Sequence, residues 1–360
     1  MLSSKSREKT LLHKFCVLFL SILFVAKFLF EPLYYIVKRI EFSKGTDELD
    51  YYQIQRRDHY LTSLRDYISG FALRDPCYVP DFKHSKELKI VPFNQMHRDN
   101  GACWPLKAYS MAGRQRLDNV RDLLTAAIFS NIPGGFLEAG VWRGGSSIMA
   151  AGTIAAYNEN RAVYVCDSFQ GLPRSSNPMD YDGWEISDVL SVSLSNVKQN
   201  FRDTGLLKSN VKFIEGFFNT SLPILAQENF RLAVLRADGD MYESTMDILF
   251  NLYDKISVGG FLIVDDWDIQ VARKAVKHFF YIHKVSKIRI ESIDGVAAYI
   301  VKEVHFEINY KWYERFNAQR YIDSKYRSKK ETKLENTGKC TISPYTCMDE
   351  FSFNYADLFL

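Results

Sequence analysis

This 360-residue sequence has almost no net charge: 46 Lys and Arg stand against 43 Asp and Glu, which leaves +3. So weak an imbalance argues neither for nor against a polyanionic partner. No zinc-finger spacing and no RNP-like run occurs either, so nucleic-acid binding is set aside. No internal repeat is visible. Cysteine is sparse, with six in the chain. What remains, 47% hydrophobic and 25% charged residues, is ordinary globular composition and not that of a disordered chain. The length suits one large domain or two smaller ones.

An unbroken apolar run of membrane-spanning length is also lacking. The nearest is KFCVLFLSILFVAKFLF, Lys14 to Phe30, apolar except for Lys14, Ser21 and Lys27 and continued by apolar residues to Val37. A bilayer takes about 20 apolar residues, a length reached here only if Lys27 is tolerated. Lys5, Arg7, Lys9 and Lys14 predict a cytoplasmic N-terminus, and the run offers no good small-x-small cleavage site. The expectation is a cytoplasmic tail over 1–13, an uncleaved transmembrane signal-anchor over 14–37 and a stem over 38–91. That makes a single-pass type II membrane protein, with the membrane as partner through its N-terminal helix and the remainder in the secretory lumen. Cys77, Cys103, Cys340 and Cys347 are an even number on that side and allow disulfides, four free thiols being the alternative. Cys16 falls in the anchor, and Cys166, inside an apolar strand, reads as a buried thiol. A glycosylation sequon at Asn219 is compatible with the lumen.

Beyond the stem, Leu117, Val120, Leu124, Ala127 and Ile128 recur at helical spacing, and Pro133–Gly134–Gly135 stops that helix. From Phe136 short apolar strands alternate with helical stretches. The strands are FLEAGV, AVYVCDSF, VKFIEGF, LAVLRADG and GGFLIVDD; helices follow from Ser146, Ser187, Tyr242 and Ile269. KIRIESI and GVAAYIV are close enough to form a hairpin through Asp294–Gly295. This alternation predicts an α/β fold: a Rossmann-like, mostly parallel sheet with helices on both faces and an antiparallel last strand. The domain is placed at 92–303, and 304–360 is read as a polar C-terminal extension.

In such sheets ligands bind at the carboxyl ends of the strands. The first strand runs into EAGVWRGGSS, where Gly140, Gly144 and Gly145 allow a close backbone approach. GxGxxG spacing is absent, which disfavours a nicotinamide dinucleotide. Glu138 would repel a pyrophosphate but suits an amine or sulfonium, and Asp167, after the second strand, suits the two hydroxyls of a ribose. Ribose without phosphates, beside a positive group, points to S-adenosylmethionine. Asp238 and Asp240 end the fourth strand, and Asp265 and Asp266 end the fifth. Four carboxylates brought together there repel unless a cation sits between them. Oxygen-only ligation favours a hard ion: Mg²⁺, with Mn²⁺ as the alternative. Each motif taken alone is as well read as a helix cap or tight turn. Consecutive strand residues also point to opposite faces, so the chain must bend at Asp265 for both acids to reach one ion.

GGFLEAGVWRGGSS, VYVCDSFQGLP, VLRADGDMYESTMD and GGFLIVDDW, in this order, resemble the macrocin O-methyltransferase family over roughly residues 105 to 300. The resemblance implies a seven-strand methyltransferase sheet and methylation of a sugar hydroxyl with S-adenosylmethionine and a divalent metal. It implies that Asp238, Asp265 and Asp266 hold the metal and that Asp240 acts as base. It also implies that Met111, in YSMAG, and Gly216, after the third strand, border the cofactor, and Ser168 beside Asp167 joins that set. As alternatives, Met111 is core packing and Gly216 a structural turn. Trp184 and Tyr181 could stack on a sugar ring or pack on their own loop; Arg143 could steady the glycine turn; His278 and His283 read as surface residues. A membrane tether with a stem is the build of many glycan-modifying Golgi enzymes, so the expected location is the Golgi and the expected acceptor a glycan. The alternatives are methylation of a phenol or other small hydroxylated metabolite, and an inactive cofactor-binding scaffold. A homo-oligomer is compatible with all three.

Overall fold

The computed structural model describes residues 48–80, 88–174, 180 and 189–337. The described residues from Leu61 onward form one compact unit. Its centre is a seven-stranded sheet of β4 (Gly135–Ala139), β5 (Val163–Asp167), β6 (Val211–Glu215), β7 (Leu232–Ala237), β8 (Ile256–Val264), β9 (Ile290–Ser292) and β10 (Ala298–Val301). The order is β6-β5-β4-β7-β8-β10-β9; β4 to β8 pair in parallel, and β10 pairs antiparallel with both β8 and β9. The expected α/β sheet with its closing hairpin is therefore present. Asp294 makes that hairpin turn by accepting the backbone N–H groups of Val296 and Ala297.

The helices are α1 (Glu48–Ile68), α2 (Gln95–Asp99), α3 (Arg114–Phe129), α4 (Gly145–Ala156), α5 (Leu194–Asp203), α6 (Phe218–Leu225), α7 (Tyr242–Leu252), α8 (Gln270–Ile282) and α9 (Tyr310–Thr337). Strand side chains alternate between faces, and the two faces carry separate cores. Phe136, Val165, Val234 and Ile263 pack with Leu61, Leu64 and Ile68 of α1 and with α3 and α4. Leu137, Ala139, Leu235 and Val264 pack with α7, α8 and α9. α6, with Pro223 inside it, was not anticipated: an eight-residue segment carrying a proline gives little helical signal. A second, three-stranded sheet, β1 (Cys77–Pro80), β2 (Leu88–Val91) and β3 (Trp104–Pro105), is closed by a Cys77–Cys103 disulfide. Cys166 is buried and free; Cys16, Cys340 and Cys347 lie outside the described residues.

One expectation is corrected. Among the described residues no helix is long and apolar enough to cross a membrane. The two longest, α1 and α9, carry charged residues along their length. The anchor expected over 14–37 lies outside the described residues, and its run contains Lys27, a charge that a bilayer interior penalises by about 2.5–3.5 kcal/mol. The transmembrane helix, and the membrane partner inferred from it, are withdrawn.

His278 and His283 are half-buried rather than on the surface. His278 Nδ1 meets the Tyr242 hydroxyl at 3.0 Å. His283 pairs through Nδ1 with the Phe279 carbonyl at 2.6 Å, and its Nε2 accepts the Asn309 N–H at 2.9 Å. Burial lowers the pKa of both, so His283 acts as a neutral strut between the end of α8 and the start of α9. Trp312, Tyr313 and Phe316 of α9 are buried against α7, with Phe250 stacked on Tyr313 at 4.8 Å and on Trp312 at 5.4 Å. Phe250→Ala should lower unfolding stability by about 3–5 kcal/mol, read in a denaturant titration; a loss below about 1 kcal/mol would show that α9 does not depend on this stack.

Candidate active site

The strand register builds the site. Glu138 of β4 lies opposite Arg236 of β7, and Arg236 lies opposite Ile263 of β8. With a period of two, Asp238 and Asp265 follow on the same face as Arg236. Arg236, only 3% exposed, is therefore ringed by acids: 2.5 Å to Glu138, 2.6 Å to Asp238 and 2.6 Å to Asp265. α3 packs on that face and supplies a second buried guanidinium, Arg116, 2.7 Å from Asp265 and 3.0 Å from Asp294. Neither arginine's role was anticipated. The available signal was an arginine inside the apolar LAVLRADG strand, since a buried charge there requires partners.

Past Val264 the strand ends and the chain turns, with Asp265 N–H donated to the Ala237 carbonyl and Ile269 N–H to the Asp266 carbonyl. This is the required bend. It brings one oxygen from each of Asp238, Asp265 and Asp266 within 4.8 Å of one another. Asp266 also accepts the Asp240 N–H at 2.8 Å, with Asp240 in left-handed backbone at φ +55°. A non-glycine residue held there is a mark of constraint at functional sites, although Asp tolerates it better than most.

Two arginines do not neutralise the six carboxylates of Glu138, Asp238, Asp240, Asp265, Asp266 and Asp294. Asp265 titrates below its ordinary range, because Arg116 and Arg236 outweigh the cost of burying it. Asp238 is pushed up to about 6, chiefly by burial and against the pull of Arg236. Asp266 is held well above the carboxylate range, first by burial and then by Asp240, Asp238 and Asp265. Among the described residues it has no arginine partner. The crowding is therefore relieved at Asp266, which keeps a proton unless a cation takes its place.

These acids open onto a cleft of about 910 Å³ at the carboxyl edge of the sheet. Met111, Gly140, Asp167, Ser168, Asp238, Asp240, Asp265 and Asp266 line it. Asp167 accepts the N–H groups of Val141 at 2.7 Å and Phe169 at 2.8 Å, which fixes its carboxylate beside the glycine turn; burial raises its pKa against those bonds. Gly140 has φ +94°, and a Cβ there would collide with the Asp238 carbonyl oxygen, so only glycine lets the two strand ends close. Arg143 donates to the carbonyls of Pro105 and Ala108, tying the turn to the segment before α3. Ser168 donates to the Gly171 carbonyl at 2.6 Å. Asn219, the sequon residue, also lines the cleft.

Two predicted site residues are placed elsewhere. Glu138 is 1% exposed beneath the cleft, held by Arg236 and by the Ser147 hydroxyl. Gly216, at φ +133°, shapes a turn whose N–H bonds Asp167 O, and its neighbours Phe217 and Phe218 form the wall. Tyr181 and Trp184 lie outside the described residues.

The Glu138 carboxyl is pushed up to about 7 from its ordinary 4.5, chiefly by burial and against Arg236 and Ser147. A carboxyl whose folded value is raised stabilises the fold fully below about pH 4.5 and loses that contribution as pH rises through about 7. In protein stripped of divalent ions, the thermal midpoint should therefore fall between about pH 5 and about pH 8, and Glu138→Gln should flatten the decline. Equal slopes in the two proteins would contradict this placement of Glu138.

Comparison with known proteins agrees with the geometry. Residues 73–302 match the family model described as macrocin-O-methyltransferase. Mycinamicin III 3''-O-methyltransferase of Micromonospora griseorubida is 37% identical over 67% of this chain and 94% of its own. A tetracenomycin-C 4'-O-methyltransferase of Streptomyces olivaceus, named for a rhamnosyl-bearing compound, is 37% identical over 68% and 92%. The solved structure of the O-methyltransferase NovP aligns with a TM-score of 0.62 at 34% identity, covering 69% of this chain and 100% of that one. These relatives are bacterial enzymes and lend nothing to a Golgi location, so the type II Golgi expectation is corrected as well. The chain belongs to the macrocin O-methyltransferase family, enzymes that take their methyl group from S-adenosylmethionine.

Proposed function

We propose that this O-methyltransferase methylates a sugar hydroxyl, with a divalent cation held by Asp238, Asp265 and Asp266 and with Asp240 as the base. The observation that carries the reading is the convergence of those three carboxylates within 4.8 Å in an array whose acids outnumber its arginines. The donor set fits a hard cation: it is all oxygen, partly exposed at Asp238, and short of positive charge at Asp266. Mg²⁺ suits it, with Mn²⁺ the alternative. A cation bound there supplies the positive charge that makes an acceptor hydroxyl more acidic. The sugar acceptor is supported by the relatives, one of them named for a rhamnosyl-bearing compound.

The chain's own residues do the rest. The carboxylate of Asp167 receives the ribose hydroxyls of the methyl donor, and Gly140 lets the backbone approach it. Met111 and Ser168 wall the same end of the cleft. Asp240, its backbone tied to Asp266, takes the proton of the acceptor hydroxyl. The new oxygen–methyl bond forms as the carbon–sulfur bond breaks, and S-adenosylhomocysteine leaves neutral at sulfur. Glu138 and Arg236 lie below and keep Asp238 and Asp265 aimed. Holding donor and acceptor in line contributes through positioning, up to about 7–11 kcal/mol in favourable systems.

Asp240→Asn should bind S-adenosylmethionine as the parent does while turnover falls about 10²–10⁴-fold, measured by calorimetry and by transfer of labelled methyl; an unchanged rate would reject Asp240 as base. Exhaustive chelation should abolish transfer and Mg²⁺ should restore it. Full turnover after chelation would remove the cation from the mechanism.

A further inference from the structure

α9 follows the family match, which ends at residue 302. One continuous face docks it on α7. The Tyr313 hydroxyl donates to Asp247 at 2.6 Å, and Phe316 packs near Tyr242 with ring centres 6.1 Å apart. One turn on, Arg320 Nη1 donates to Asp247 at 2.7 Å and to Asn317 Oδ1 at 3.2 Å, with Nε 3.3 Å from Glu243. Positions 313, 316 and 320 fall on one side of a helix. Docked in this way, α9 places Asn317, Arg320 and Tyr321 on the wall of the cleft that holds Asp240 and Asp266.

We infer that α9 forms the acceptor subsite and that this subsite takes a neutral, hydroxyl-rich sugar in preference to an anionic one; the inference rests on the sugar-methylating reading above. Among the described residues, eight carboxylates and three arginines line the cleft. A divalent cation and a sulfonium leave that balance negative, so a phosphorylated or carboxylated acceptor enters against a like-signed potential. A neutral sugar meets no such barrier, and its hydroxyls can donate to Glu243 and Asp240. Arg320 supplies the opposite polarity. It donates through Nη1, and its Nε faces Glu243. Asp247 and Glu243 hold this guanidinium in place, so its donors point from a fixed fork. Tyr321, 69% exposed on the same wall, presents a flat ring on which the apolar face of a sugar packs. Acceptor choice is thus assigned to a helix outside the matched region, while the donor and cation sites lie within it.

The test is methyl transfer by the full chain from labelled S-adenosylmethionine to p-nitrophenyl glycosides of neutral hexoses and deoxyhexoses, to the matched uronic acids and to a catechol. The preferred neutral glycoside should exceed its uronic counterpart about tenfold or more in kcat/KM. Tyr321→Ala should raise the acceptor KM about tenfold with little effect on the calorimetric affinity for S-adenosylhomocysteine, which also reports that the variant is folded. Equal kcat/KM for neutral and uronic acceptors would overturn the selection of neutral sugars. An unchanged acceptor KM in both Tyr321→Ala and Asn317→Ala would overturn the role of α9, and either result would leave sugar methylation standing. Turnover on the catechol alone, or on none of the panel, would overturn the sugar reading and the subsite with it.

Discussion

Arg236 is the pivot of this molecule. A guanidinium buried in the middle of a parallel sheet is tolerated only with acids packed around it, and here Glu138, Asp238 and Asp265 come from three adjacent strands to do so. Its presence makes the acids possible, and theirs makes it possible. Arg116 adds one positive charge from α3. The array still holds more acids than arginines, and Asp266, with no arginine partner among the described residues, is the acid that holds its proton most tightly. The cation proposed above would take the place of that proton at the rim, where the arginines do not reach.

Two backbone features let that electrostatic arrangement face a substrate. Gly140 allows the end of β4 to touch the end of β7, where a side chain would collide with the Asp238 carbonyl. The turn after Val264 breaks the strand's alternation so that Asp265 points to Arg116 and Arg236 while Asp266 reaches Asp240. Without the first, the donor side of the cleft would open; without the second, neighbouring acids would lie on opposite faces of the sheet. Packing then fixes the outer wall, because α9 is stacked on α7 through Phe250, Trp312 and Tyr313.

The strands, their closing hairpin and the acids at their carboxyl ends were legible in the sequence, because apolar runs and turn residues declare parallel strands and the acids sit just past them. Family membership followed from four motifs in order. The ion-pair floor was not read, although LAVLRADG carries its arginine in plain view: pairing depends on register between β4, β7 and β8, which a single sequence does not display. Glu138 illustrates the cost. Read alone, it suits a positively charged ligand, whereas in the fold Arg236 meets that demand. α6 was hidden by Pro223, and the core contacts of α9 by the lysines and glutamates around its few aromatic residues. The apolar N-terminal run shows the opposite error, in which composition suggested a function that neither the described helices nor the bacterial relatives support.

The most direct measurement is anomalous scattering from crystals of the protein grown with Mn²⁺ and S-adenosylhomocysteine. A single strong peak within about 2.2 Å of carboxylate oxygens from Asp238, Asp265 and Asp266 is the expected result. A map with no peak at those side chains, Arg236 and Arg116 remaining paired as they are here, would contradict the cation site assigned to these three acids.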